Sequence, residues 1–214
     1  MTSKERMLKA MQNGKPDCVP VAPDMSNMIP CRLTGKPFWD IYLYQDPPLW
    51  KAYIGAAKHF GIDGWLAGVP LQFDYEIEAA KDRPGRQEAI IKRTSERIYT
   101  RFHADINGEK HWSNYCNVYY IADPPTRGLP LAKAGLPDNA PTEWEDVHRR
   151  TNYKGLKAFH EANEYMGDDG VVGVAIGIPG LNLRNMDSIY EYYDNREKVI
   201  KRCQQSKENL VRRL

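Results

Sequence analysis

The sequence predicts an α/β protein assembled from βα units, a partial (β/α)8 barrel that is incomplete at its C-terminus and carries an inserted antiparallel hairpin. Three observations predict it. The run Val171-Val172-Gly173-Val174-Ala175-Ile176-Gly177-Ile178 bears no charge, as a strand buried on both faces does, and Pro179-Gly180 breaks it where a βα loop opens. Between Val19 and Gly68, strand, helix and strand follow in the order of a βαβ unit, whose parallel pair needs its helix on the sheet face. Asn107-Gly108, the strongest two-residue hairpin signal, interrupts a strand-like stretch at about 90–121.

Taken in order, Thr2 and Glu5 have capping-box spacing, and Met7, Leu8 and Met11 mark a short entry helix that Gly14 and Pro16 stop. Val19-Pro20-Val21-Ala22 reads as the first strand, with Pro20 tolerated near its start because no ladder N–H is needed there. From Pro23 to Pro48 runs a long loop rich in Pro, Met and aromatics, with a turn of helix around Phe38 to Tyr42; a loop of this length inside a compact domain is usually functional. Asp46 is the expected N-cap of a helix whose apolar stripe is Trp50, Tyr53, Ile54, Ala57 and Phe60, ending at Gly61. Asp63 to Gly68 is the next strand.

In the hairpin, a turn at Asn107-Gly108 pairs Ile106 with Glu109 and His103 with Trp112, and continued outward it pairs Arg101 with Asn114 and Tyr99 with Cys116. His111 then faces Ala104 on the opposite side of the ribbon from His103, so the two histidines do not converge on one metal. A Pro-rich connection from Asp123 to Pro141 leads to Thr142 and Glu145, which repeat the capping-box spacing and predict a helix; another runs from about Tyr153 to Met166, with His160 on its flank, and a final one from Ile189 to Val211.

Composition fits one globular domain over 1–214: 42% of residues are hydrophobic and 27% charged, enough apolar material for a core. Thirty Lys and Arg against 28 Asp and Glu leave a formal charge of +2, too balanced to point to nucleic acid or an anionic membrane as partner. The basic residues from Lys198 to Arg213 read as a solvated helix face. No apolar run reaches the ~18 residues of a membrane span, and Ser3-Lys4-Glu5-Arg6 is not followed by a signal-peptide core, so a cytoplasmic location is expected. Cys18, Cys31, Cys116 and Cys203 form no C-x-x-C pair and read as free thiols, with Cys31 in a loop beside Met25, Asn27 and Arg32.

The segments Ser3-Lys4-Glu5-Arg6-Met7-Leu8-Lys9-Ala10 and Pro16-Asp17-Cys18-Val19-Pro20-Val21, together with Gly177-Ile178-Pro179-Gly180 and the closing helix around Asp194 to Leu210, resemble the uroporphyrinogen decarboxylase superfamily, which includes the corrinoid-linked methyltransferases. The resemblance covers nearly the whole chain and implies a distorted TIM-type barrel with its site at the C-terminal ends of the strands. It also implies that the chain is the N-terminal portion of a longer enzyme, truncated and inactive alone. Where the decarboxylases carry an arginine-bearing segment that grips propionates, this chain has Asp24-Met25-Ser26-Asn27-Met28-Ile29; the family's aspartate after the second strand falls near Gly68, and its tyrosine near Asn185.

The resemblance therefore favours methyl transfer or demethylation of a small methylated substrate over tetrapyrrole decarboxylation by a diverged decarboxylase, with a noncatalytic binding or subunit module as the alternative from another class. Polar residues expected at the strand ends, and so to bind substrate or cofactor, are Asp24, Asn27 and Arg32 after the first strand, Gln72 and Asp74 after the second, and Asn182 and Arg184 after the third. Catalytic residues are not assigned. In the methyltransferase branch a zinc ion held by His-x-Cys and a later Cys activates a thiol, and a corrinoid protein is the partner. No histidine here has a cysteine two residues on, so no metal or cofactor is expected in this chain itself. A homo-oligomer or a complementing C-terminal half is the expected assembly.

Overall fold

Thr2 and Glu5 do form the expected capping box, each side chain bonded to the other's backbone N–H, and they open α1, Ser3–Met11. The computed structural model describes residues 1–66, 85–150, 157–173 and 185–211. It divides into two units, Met1–Ala175 and Ile176–Leu214.

In the first unit Val19 to Ala22 is not a strand of a ladder. It meets the next segment at one residue, where the Asp63 N–H donates to the Val21 carbonyl at 2.8 Å and the Val21 N–H donates to Asp63 Oδ2 at 2.9 Å. Pro20, lacking an N–H, offers no further ladder bond. The long aromatic segment beyond is more ordered than a loop: it holds α2, Met28–Leu33, then a π-helical turn, Asp40–Tyr44. Pro48, not Asp46, is the N-cap of α3, Leu49–Phe60, which closes at Gly61 with φ 65° as the expected glycine stop. Asp46 instead takes Lys36 at 3.0 Å and Arg150.

The strand β1, Gly64–Trp65, pairs in parallel with β8, Val171–Val172. They approach very closely: a Cβ on Gly170 would sit 2.7 Å from the Asp63 carbonyl oxygen, and one on Gly64 would sit 2.8 Å from that of Val171. α3 and α4, Lys157–Met166, cover this pair, and Tyr53, Ile54 and Ala57 pack with Ala158, Ala162 and Met166 around Trp65 and Val172.

The rest of the unit is a six-stranded antiparallel sheet. Its strands are β2, Gln87–Arg93; β3, Arg97–Ile106; β4, Glu109–Trp112; β5, Tyr115–Tyr120; β6, Thr126–Pro130; and β7, Glu145–Asp146, in the order β6-β5-β3-β2-β7 with β4 also on β3. The partial (β/α)8 barrel is thereby overturned. The described parallel pairing is two residue pairs, while hairpin pairing spreads from Asn107-Gly108 through β6 and β7, stretches that read in sequence as a Pro-rich connection and a helix. The Thr142 box caps nothing: Glu145 and Asp146 join the edge of β2, pairing Ala89 with Asp146.

The turn register is as expected, Ile106 opposite Glu109 and His103 opposite Trp112. Beyond it the ribbon slips by two residues, so that Tyr99 faces Val118 rather than Cys116. Ser113 causes the slip. Its Oγ accepts the Phe102 N–H at 3.2 Å and donates to the Tyr115 carbonyl at 2.8 Å, standing in for a ladder carbonyl. An even slip leaves every side chain on its original face. One face carries Ile90, Ile98, Tyr119 and Val147 against Leu43 of the π-helical turn, and the other carries Tyr99, Cys116 and Val118 against Leu131.

In the second unit the single final helix of the sequence reading is two, α5, Met186–Asp194, capped by Asn185, and α6, Arg196–Val211, parted at Asn195. An Arg202–Glu191 ion pair joins them at 2.9 Å. Among the described residues no helix is long and apolar enough to cross a membrane.

Candidate functional site

Where the chain leaves β1, Trp65 stacks on Tyr53 of α3 with ring centroids 5.1 Å apart and planes inclined by 17°. Both rings are buried, as is Met25 beside them. The amphipathic stripe of α3 explains why Tyr53 points inward; its hydroxyl then needs a partner in the segment packed above. It finds two, donating to the Met25 carbonyl at 2.8 Å or to Oδ1 of Asn27, its single hydrogen serving one at a time. Asn27 stands at the N-cap of α2 yet makes no capping bond with its side chain, which is turned to Tyr53 instead.

A second tyrosine approaches from the other side. The π-helical turn drives Tyr42 inward, where its buried hydroxyl meets Cys31 and Asn27. The indole N–H of Trp65 is buried with no hydrogen-bond partner. Single π-turns recur at functional sites, and an unpaired buried donor calls for an acceptor. Burial, reinforced by the adjacent Cys31 thiol, pushes the Tyr42 phenol above its usual range, and burial with the nearby Asp24 carboxylate does the same to Tyr53. Both hydroxyls therefore keep their protons at neutral pH. Burial pushes the Cys31 thiol up to about 11, so it is a protonated, packed side chain rather than a nucleophile.

Of the residues expected from sequence, Asp24 and Asn27 come to Tyr53, while Arg32 is exposed on α2. Gln72, Asp74, Asn182 and Arg184 lie outside the described residues. Tyr42, Tyr53 and Trp65 were not among the expected site residues. The stripe of α3 marks Tyr53 as core, and only the density of Pro, Met and aromatics between Pro23 and Pro48 signalled that this core has polar business.

The antiparallel sheet holds a separate polar centre that is already satisfied. Buried Glu88 accepts from Thr100 at 2.6 Å, Asn117 at 3.1 Å and Tyr119 at 2.8 Å on Oε1, and from Arg149 at 2.6 Å on Oε2. Burial and then the Glu88 carboxylate raise the Tyr119 phenol. With these four donors all internal, this carboxylate binds the sheet together.

Among the described residues no three His, Cys, Asp or Glu side chains gather to hold a metal ion. Comparison with family models, with curated proteins and with solved structures yields no match.

Proposed function

We propose that the cup formed by Met25, Asn27, Tyr42, Tyr53 and Trp65 binds a small methylated molecule, and that the chain serves methyl transfer or demethylation as part of a uroporphyrinogen-decarboxylase-like, corrinoid-linked system. The observation that carries the first half is the unpartnered buried indole N–H of Trp65, beside the stacked Tyr53 ring. Apolar walls with a few fixed polar atoms are the make-up of small-molecule sites. The second half rests on the motifs Ser3 to Ala10 and Pro16 to Val21.

The chemistry of the cup supports a neutral ligand over a polyanionic tetrapyrrole. Its polar atoms are a hydroxyl pair, an amide and an indole, and the Asp24 carboxylate acts on Tyr53 with a negative charge, which repels propionates. Met25 fills the place where the decarboxylase resemblance calls for an arginine grip. A corrinoid protein as methyl carrier belongs to the same reading. The described histidines and cysteines do not fit a zinc site: Cys31 and Cys116 are buried apart from any histidine ligand set and His103 is committed to Asp146, so no step here runs through zinc.

The test is a fluorescence titration excited at the indole band, with dimethyl sulfide and methanol as neutral methyl donors and coproporphyrin as the polycarboxylate control. We expect a saturable change with a methylated probe that weakens about tenfold in Tyr53→Phe, from loss of the hydrogen bond that holds Met25 and Asn27 over the cup. Saturable binding of coproporphyrin alone would favour the decarboxylase reading. No saturation with any probe would remove the small-molecule site altogether.

A further inference from the structure

On the face of the sheet away from Glu88 lies a buried histidine with half its hydrogen-bonding capacity unused. His103 is 3% exposed, and its Nε2 is 3.0 Å from Oδ1 of Asp146. A carboxylate can only accept, so Nε2 carries the hydrogen. That leaves Nδ1 as an acceptor in the neutral ring, and it is buried with no partner. Folding alone gives no reason to bury an imidazole edge unpaired, because a buried acceptor without a partner is destabilising.

The surroundings point to what would pair it. Two indoles pack around the imidazole, Trp112 with centroids 4.7 Å away and Trp144 at 6.4 Å, and they meet each other edge to face at 5.4 Å. Trp144 is 42% exposed and sits just before β7, outside any strand, so the cluster opens to solvent through it. Lys110 lies over Trp144 at 5.6 Å and Arg101 over Trp112 at 5.7 Å, which fixes the rings by cation–π contact. The sheet sets all of this. His103 and Trp112 are direct neighbours across β3 and β4, and Asp146 arrives through the pairing of β7 with β2.

We propose that this cluster is a second binding site, separate from the cup, that takes a small hydroxylated aromatic molecule. The ring lies against Trp144 and Trp112, and its single hydroxyl donates to Nδ1 of His103. The match is one to one: a single buried acceptor and aromatic walls select a flat ring with one donor, whereas a sugar brings many hydroxyls that these walls leave unsatisfied. Trp144, carried on the segment before β7, moves to admit the ring. Asp146 holds the imidazole so that Nδ1 faces the ligand.

Saturation-transfer NMR with phenol and with anisole, which has the same ring but no donor, tests this on the full chain. We expect phenol to bind at least tenfold more tightly than anisole. Trp144→Ala, at an exposed position that leaves the fold intact, is expected to abolish the phenol signal, and His103→Phe to equalise the two probes. Equal binding of phenol and anisole to the unaltered chain would overturn the proposal, as would phenol binding that survives Trp144→Ala or no binding of either probe. Because Tyr53→Phe leaves this site untouched, its outcome and that of the cup are read separately.

Discussion

Glu88 decides most at the level of single residues. A carboxylate at 3% exposure is tolerable only because four donors surround it, and removing its charge strands Arg149 and weakens three further bonds at once. Glu88→Gln is expected to destabilise the chain by about 3 kcal/mol, the lower end for a broken buried pair because Arg149 is partly exposed. Urea unfolding read by circular dichroism measures it; a loss under about 1 kcal/mol would mean the network is dispensable. None of this was legible beforehand, since Glu88 precedes the strand-like stretch as it reads in sequence and looks like a surface residue. Asn27 stands out in sequence as a polar side chain in a long aromatic segment, and it lies against Tyr53. Tyr53 does not stand out, because the same helical stripe that buries it also describes an ordinary core tyrosine.

Among the elements, α1 is latched to the parallel pair by charge. Arg6 donates to Asp17 at 2.8 Å and to Asp63 at 2.6 Å, so the segments around Arg6 and Asp17 are tied to each other and to the strand rather than to the cup. Burial alone would raise the Asp63 carboxyl, but the Val21 N–H, Ser3 and Arg6 outweigh it and hold the carboxyl below its ordinary value. Asp17 is lowered chiefly by its bond to Arg6. A lowered carboxylate contributes stability that is complete above its unfolded pKa of ~4 and is lost as pH falls through the folded value. The latch is therefore expected to be intact at pH 6 and to weaken steadily below pH ~4, with Asp63→Asn removing the Asp63 share of that acid dependence and leaving that of Asp17. Protection factors of α1 amides against pH, each referred to the intrinsic exchange rate at that pH, check this; protection that stays constant from pH 6 to pH 3 would refute the latch. Elements with a local signature were readable in advance: the capping box of α1, the Gly61 stop of α3 and the turn at Asn107-Gly108. The two-residue slip after β4 was not, because it depends on one hydroxyl of Ser113 replacing a ladder carbonyl.

For the whole molecule, the sequence pattern overstated the parallel part. Alternation and hairpin signals act over a few residues, whereas β6 and β7 join the sheet through pairings of long reach that no local pattern encodes. A Pro-rich connection was thus read as a linker and a capping box as a helix, and the barrel followed from counting buried runs as barrel strands. The proposed cup lies at the end of β1, where a helix stripe, a π-turn and an aromatic segment meet. The most direct measurement of the account is a filtered nuclear Overhauser experiment on the chain with 13C-methyl dimethyl sulfide, observing the Trp65 indole N–H. A cross-peak from the probe methyls to that N–H, lost in Tyr53→Phe, is the result the account expects. A bound probe whose methyls contact only residues outside Met25, Asn27, Tyr42, Tyr53 and Trp65 would contradict it.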